Sequence, residues 1–188
     1  MRVEPAPLEG VLLVRPDVFQ DDRGFFMETY REARYEEHGI PTRFVQDNLS
    51  RSRRGTLRGL HFQHPQAQAK LVQAVRGEIF DICVDIRQGS PDFGRWFGLR
   101  LSSDEPVQLF VPEGFAHGFC ALSDEALLLY KSSRPYAPDC DAGILWSDPD
   151  IGIAWPVEDP LLSPKDRALP RLRDLPRENL PAYTEDAP

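Results

Sequence analysis

The chain has 188 residues, 41% hydrophobic and 28% charged, a composition that can bury a real core, so one domain over 1–188 is expected. A formal charge of −8 argues against general binding to nucleic acid or to an anionic membrane. No apolar run reaches transmembrane length and Met1-Arg2-Val3-Glu4-Pro5 lacks the apolar core of a signal peptide, so the cytoplasm is the expected compartment.

In chain order, residues 11–14 read as a short strand. A turn at 21–24 leads into a strand at 25–30. Residues 31–38 read as a short helix stopped by Gly39 and Pro41. A strand follows at 43–50, then a basic loop at 51–55, then a strand through Thr56-Leu57-Arg58-Gly59-Leu60-His61-Phe62-Gln63. Runs at 70–75 and 79–86 flank Arg76-Gly77-Glu78, which reads as a tight hairpin. In the second run Phe80, Ile82, Val84 and Ile86 share a face, and Asp81, Cys83 and Asp85 the other. Strands at 96–101, 107–111, 118–122 and 126–132 complete the series. Many short strands about ten residues apart, with one small helix, indicate an all-β antiparallel sandwich or barrel. The pattern breaks from Pro156 onward. Ser163-Pro164-Lys165-Asp166 reads as a helix start, and about 175–188 as a loose tail.

The stretch around His61 carries the chemistry. With period 2, Thr56, Arg58, Leu60 and Phe62 point one way, and Leu57, Gly59, His61 and Gln63 the other. A histidine can exchange a proton near neutral pH, and an arginine fork suits phosphate or carboxylate. Pro112-Glu113-Gly114-Phe115-Ala116-His117 is a PxGxxH element, typical of the second half of a cupin barrel. Many cupins hold a metal there. Here His61 and His64 are three apart on a strand and face opposite sides, the expected glutamate is missing, and Lys70 beside Arg58 would repel a divalent cation. No metal centre is expected. The same set suits an anion: Arg58, Lys70 and Arg23 could clamp a diphosphate. Tyr130, ending an apolar strand, fits core, rim or site. Asp166 fits a solvated helix start, or a partner that holds His61 in one tautomer. Cys83, Cys120 and Cys140 are odd in number, without a CxxC pair, and read as buried thiols in a reducing compartment; a nucleophilic Cys120, close to His117, is the alternative.

With those residues laid out, the chain resembles the dTDP-4-dehydrorhamnose 3,5-epimerases, from about Val11 to Asp174. The resemblance is carried by Asp22-Arg23-Gly24-Phe25-Phe26, Gln46-Asp47-Asn48, Leu57-Arg58-Gly59-Leu60-His61, Lys70-Leu71-Val72, Val84-Asp85-Ile86-Arg87, Ser90-Pro91 with Phe93-Gly94, Gly114-Phe115-Ala116-His117-Gly118-Phe119, Tyr130-Lys131-Ser132 and Trp146 with Asp148-Pro149. It implies a cupin, jelly-roll antiparallel sandwich barrel with a few short helices. It implies His61 as base, Asp166 as its partner and Tyr130 as proton donor. Arg23, Arg58 and Lys70 would bind the diphosphate or the keto oxygen. Phe26, Glu28, Gln46, Asp47, Asn48, His117, Tyr136, Asp141 and Lys165 match other substrate-contacting positions, Asp141 standing where the family usually has Glu.

The resemblance further implies a homodimer in which the region of Phe26 and Glu28 reaches the partner's site. The expected substrate is a dTDP-linked 4-keto-6-deoxyhexose, and the reaction inversion at C3 and C5. No redox cofactor is required for that reaction, and the chain has no glycine-rich dinucleotide fingerprint. The rival readings are a 3- or 5-mono-epimerase of another deoxysugar, a metal-dependent cupin enzyme, and a non-catalytic sugar-nucleotide-binding module.

Overall fold

The computed structural model describes residues 1–41 and 43–184. Its strands are β1 (Arg2–Pro5), β2 (Leu12–Arg15), β3 (Val18–Asp21), β4 (Gly24–Met27), β5 (Gln46–Arg53), β6 (Leu57–Gln63), β7 (Lys70–Arg76), β8 (Glu78–Asp85), β9 (Trp96–Ser102), β10 (Gln108–Val111), β11 (Phe115–Ala121), β12 (Glu125–Ser132) and β13 (Asp141–Gly143). Two short helices, α1 (Glu32–Glu36) and α2 (Pro164–Arg167), lie after β4 and near the C-terminal end. One sheet has the order β1-β2-β10-β7-β12-β5 and the other β13-β6-β11-β8-β9, while β3 and β4 form a separate hairpin. Pairing within the two large sheets is antiparallel. The fold is thus the antiparallel sandwich barrel that the strand spacing implies. Among the described residues no helix is long and apolar enough to cross a membrane.

Alternation sorts the side chains into three packed layers. Between the sheets lie Ile79 and Cys83 of β8, Leu109 and Val111 of β10, Phe115 and Phe119 of β11, and Leu128 of β12. The opposite face of β8, with Ile82 and Val84, packs under Trp155, Leu172 and Leu180 of the C-terminal segment. The opposite face of the first sheet, with Val14, Leu71 and Phe110, packs under Tyr35 of α1 and Ile40. Each large aliphatic side chain buried in this way contributes about 1.5–3 kcal/mol. This apolar burial helps offset the cost of the polar groups held within the barrel.

Several expectations are corrected. β7 and β8 do not form a hairpin: β7 pairs with β10 and β12, and β8 with β9 and β11. The Arg76-Gly77-Glu78 turn instead carries the chain from one sheet to the other. Its amides are met by side chains, Gly77 N donating to Ser103 Oγ (3.1 Å) and Glu78 N to Ser123 Oγ (2.9 Å). Gly77 has φ +71°, and a Cβ there would lie 2.2 Å from the Glu125 carbonyl oxygen, so only glycine fits. β5 runs on through Arg53, which places most of the expected basic loop in a strand.

Residues 175–184 are not loose either. Gln88 N donates to Pro181 O (2.8 Å), and Tyr183 N donates back to Gln88 O (2.9 Å). The Arg87 guanidinium lies between the Phe115 and Tyr183 rings, 4.7 and 5.1 Å from their centroids. Leu180 completes the layer under the second sheet. The last four positions of the expected tail, 185–188, lie outside the described residues.

Candidate active site

β6 departs from regular alternation, and the departure builds the site. His117 of β11 pairs with His61, but Phe119 pairs with Arg58, so three steps on β6 match two on β11. The extra residue turns Arg58 onto the same inner face as His61, against the opposite placement that strict alternation gives. Leu60 and Phe62 stay on the outer face in the C-terminal layer. Glycine makes the irregularity possible. Gly59 has φ +125°, and a Cβ there would meet Gly118 Cα at 2.6 Å.

On this wall both imidazoles are paired. His61 Nε2 lies 2.6 Å from Asp166 Oδ1. Asp166 is set by α2, where Ser163 caps the helix by accepting from Asp166 N (3.0 Å) and Pro164 opens the first turn. Burial pushes the Asp166 carboxyl up, but the hydrogen bond and charge of His61 outweigh it and hold the group below the usual carboxylate range. Asp166 is therefore the acceptor, His61 Nε2–H the donor, and Nδ1 the free basic nitrogen. His117 Nε2 lies 3.0 and 3.1 Å from the two oxygens of Asp81, which is fully buried.

The facing wall belongs to the other sheet. In β12, Tyr130 and Ser132 share a face with Lys70 of β7 and with Gln46 and Asn48 of β5, since Tyr130 pairs with Asn48 while Ser132 pairs with both Gln46 and Lys70. His61, Lys70 and Tyr130 line both of two adjoining cavities, of about 300 and 290 Å³. Arg58 and His117 line the second; Gln46, Asn48, Tyr136 and Asp141 line the first; Lys165 lines both. Burial drives the Lys70 ammonium down to about 8, against the charges of Asp81 and Asp141, which raise it. Burial also raises the Tyr130 phenol, with Arg58 pulling the other way. At the rim Asp141 accepts from Tyr136 Oη (2.8 Å) and from Lys165 Nζ.

Four expected contacts are not brought into the cavity. Asp47 sits between Gln46 and Asn48 on β5, so its side chain points to the opposite face, where it accepts from Lys131 Nζ at 2.9 and 3.0 Å. Arg23 and Phe26 lie on the β3–β4 hairpin at a separate hollow. Arg23 has a side chain 90% exposed and paired with Asp21, and Phe26 is 71% exposed. Glu28, just past the hairpin, pairs with Arg31 and Arg34. His64 lines a different cavity from His61, beside Arg87 and Glu113. Among the described residues no group of three or more His, Cys, Asp or Glu is placed to hold a metal ion. Cys120 does not line the cavity, and burial raises its thiol to about 11. Cys83 and Cys120 are buried as expected, but Cys140, in the turn before β13, is only half-buried.

Three residues here carry no role that the sequence alone assigns. Alternation places Asp81 only on the face of Cys83. Ser50 and Ser132 are polar inner-face positions whose hydroxyls are buried without a hydrogen-bond partner among the described residues. Their signal was alternation: Ser132 is two residues from Tyr130, and Ser50 two from Asn48.

A sandwich barrel that sets an imidazole, an ammonium and a phenol around two adjoining cavities has the architecture of a cupin-type epimerase. The family model described as dTDP-4-dehydrorhamnose 3,5-epimerase matches residues 5–174. A curated protein of that name from Methanothermobacter thermautotrophicus is 53% identical over 172 residues, covering 90% of this chain and 93% of the relative. A dTDP-4-dehydrorhamnose 3-epimerase from Streptomyces niveus is 46% identical over 169 residues, covering 89% of this chain and 82% of the relative. The crystal structure of a Legionella pneumophila dTDP-6-deoxy-D-glucose-3,5-epimerase in complex with dTDP-4-keto-L-rhamnose matches with a TM-score of 0.95 at 45% identity, covering 97% of this chain and 98% of that one. The chain belongs to the dTDP-4-dehydrorhamnose 3,5-epimerase family.

Proposed function

We propose that the chain inverts C3 and C5 of dTDP-4-dehydro-6-deoxy-D-glucose, giving dTDP-4-dehydro-L-rhamnose. The observation that carries this reading is the placement of His61 and Tyr130 on opposite sheets around one cavity, with Lys70 lining it too. The 4-keto group acidifies the hydrogens on both neighbouring carbons. His61 Nδ1 takes one of them while Asp166 stabilises the imidazolium that forms. The electron pair moves to the 4-oxygen, where the Lys70 ammonium meets the charge. Tyr130 then delivers a proton to the opposite face of the carbon, and the centre inverts. Arg58, Lys165 and the amide side chains of Gln46 and Asn48 offer donors for the diphosphate and the base.

Inversion of both carbons is supported by the family model, whose description is the 3,5-epimerase and which matches residues 5–174, and by the 53% identical relative of that name. The acting form we propose is a homodimer in the cytoplasm. Its support is the β3–β4 hairpin, which holds Phe19, Phe25 and Phe26 exposed and keeps Arg23 out of its own chain's cavity. A second copy would receive that arm, and Arg23 would then supply a further cation for the diphosphate.

The activity is tested by incubating the protein with dTDP-4-keto-6-deoxyglucose in heavy water. Deuterium at C3 and C5, with an L-rhamno product by NMR, is expected. Deuterium at one carbon alone makes the enzyme a mono-epimerase, and none at either contradicts the reading.

A further inference from the structure

We propose that Ser132 is a further catalytic residue, its hydroxyl donating alongside the Lys70 ammonium to the oxygen on which the enolate charge collects. The proposal rests on the epimerase reading above and names a group that reading does not use. Ser132 is 1% exposed, lines the cavity, and its Oγ has no hydrogen-bond partner among the described residues. Most other serine hydroxyls near the walls are spoken for. Ser52 Oγ accepts from Arg58 Nε (3.1 Å), Ser133 Oγ from Ala69 N (2.9 Å) and Ser163 Oγ from Asp166 N (3.0 Å). A buried hydroxyl without a partner is costly to hold and calls for a specific reason.

Register supplies the reason. Ser132 sits directly between Gln46 and Lys70 in one row across the sheet, so the three side chains leave the same face side by side. Tyr130 leaves that face two residues earlier in the strand. A substrate placed with its reacting carbon at Tyr130 and its 4-oxygen at Lys70 brings that oxygen beside Ser132. No proton moves to or from the serine. His61 takes the carbon-bound proton, the pair moves onto the oxygen, and the serine O–H strengthens its hydrogen bond as that charge grows. Two fixed donors at the site of developing charge form an oxyanion hole, and the loss of one such donor commonly lowers turnover by about a hundredfold.

The test compares wild type, Ser132→Ala and Ser132→Thr for deuterium uptake from heavy water into dTDP-4-keto-6-deoxyglucose, and for affinity toward dTDP alone. Ser132→Ala is expected to slow uptake at both carbons by about ten- to a hundredfold, with dTDP affinity within about twofold of wild type. Ser132→Thr, which keeps the hydroxyl, is expected to recover most of the rate. Uptake by Ser132→Ala within about twofold of wild type overturns the proposal, as does a loss of dTDP affinity that matches the loss of rate. If Ser132→Ala does not fold, Ser132→Cys decides: a thiol donates weakly, so uptake must fall at least about fivefold, and an unchanged rate overturns the proposal. A wild-type protein without uptake removes the epimerase reading and this inference together. An active wild type with an unaffected variant removes this inference alone.

Discussion

The two walls of the cavity are held in opposite ways. On the β6–β11 wall each imidazole already has its carboxylate, His61 with Asp166 and His117 with Asp81. On the β7–β12 wall Lys70 Nζ, Tyr130 Oη and Ser132 Oγ make no hydrogen bond among the described residues. The paired wall has its geometry set before any substrate arrives, which suits a base that must meet a carbon-bound hydrogen in one orientation. On the reading proposed above, the unpaired wall would gain its hydrogen bonds as charge and protons move in the substrate. Interactions that strengthen in the transition state raise turnover rather than ground-state affinity.

Substitutions on each wall put this contrast at risk. His61→Ala should have the largest effect, cutting deuterium uptake by about a thousandfold or more while dTDP affinity stays within about threefold. Uptake at the wild-type rate would remove the base from that wall. Lys70→Met should lower kcat by about a hundred- to a thousandfold.

The same change should make the protein more stable. The Lys70 ammonium sits at about 8 in the folded chain, below its ordinary 10.5, so folding disfavours its charged form. That penalty is fully present below pH 8 and is relieved as pH rises from 8 toward 10.5. Urea unfolding should therefore show Lys70→Met gaining about 1–3 kcal/mol at pH 7 and less near pH 10. Wild-type turnover should also fall as pH rises through about 8, when the cation is lost, while Lys70→Met shows no such limb. A destabilised Lys70→Met, or a pH profile flat to pH 10, would count against a buried ammonium on the unpaired wall.

The smallest effect is expected of Asp47→Ala. Its carboxylate lies on the outer face with Lys131, so kcat/KM should stay within about twofold of wild type, and the lost surface ion pair should cost no more than about 1 kcal/mol.

How much of this was legible in the chain depended on whether the signal was local. The alternation of β8 sorted Ile82 and Val84 from Asp81 and Cys83 correctly, because regular pleating carries through to packing. The turn at Gly77 is not legible locally, because Arg-Gly-Glu looks the same whether its flanking strands pair or part to different sheets. Strict period 2 puts Arg58 on the wrong side of β6, because a single extra residue reverses the positions beyond it, and only the partner strand reveals it. The resemblance identified the Gln46-Asp47-Asn48 segment as a block, yet period 2 divides that block between two faces. The resemblance also grouped Arg23, Phe26 and Glu28 with the site, and no reading of one chain joins that hairpin to a cavity it does not border.

The central claim is tested most directly by single-turnover product analysis of Tyr130→Phe in heavy water. If base and acid stand on separate walls, removing the phenol leaves His61 to abstract a proton and return deuterium to the same face. The sugar should then gain deuterium with its original configuration, while inversion falls by about a hundredfold. Loss of uptake and inversion in equal proportion would mean that the two walls do not divide the chemistry, and would contradict the account.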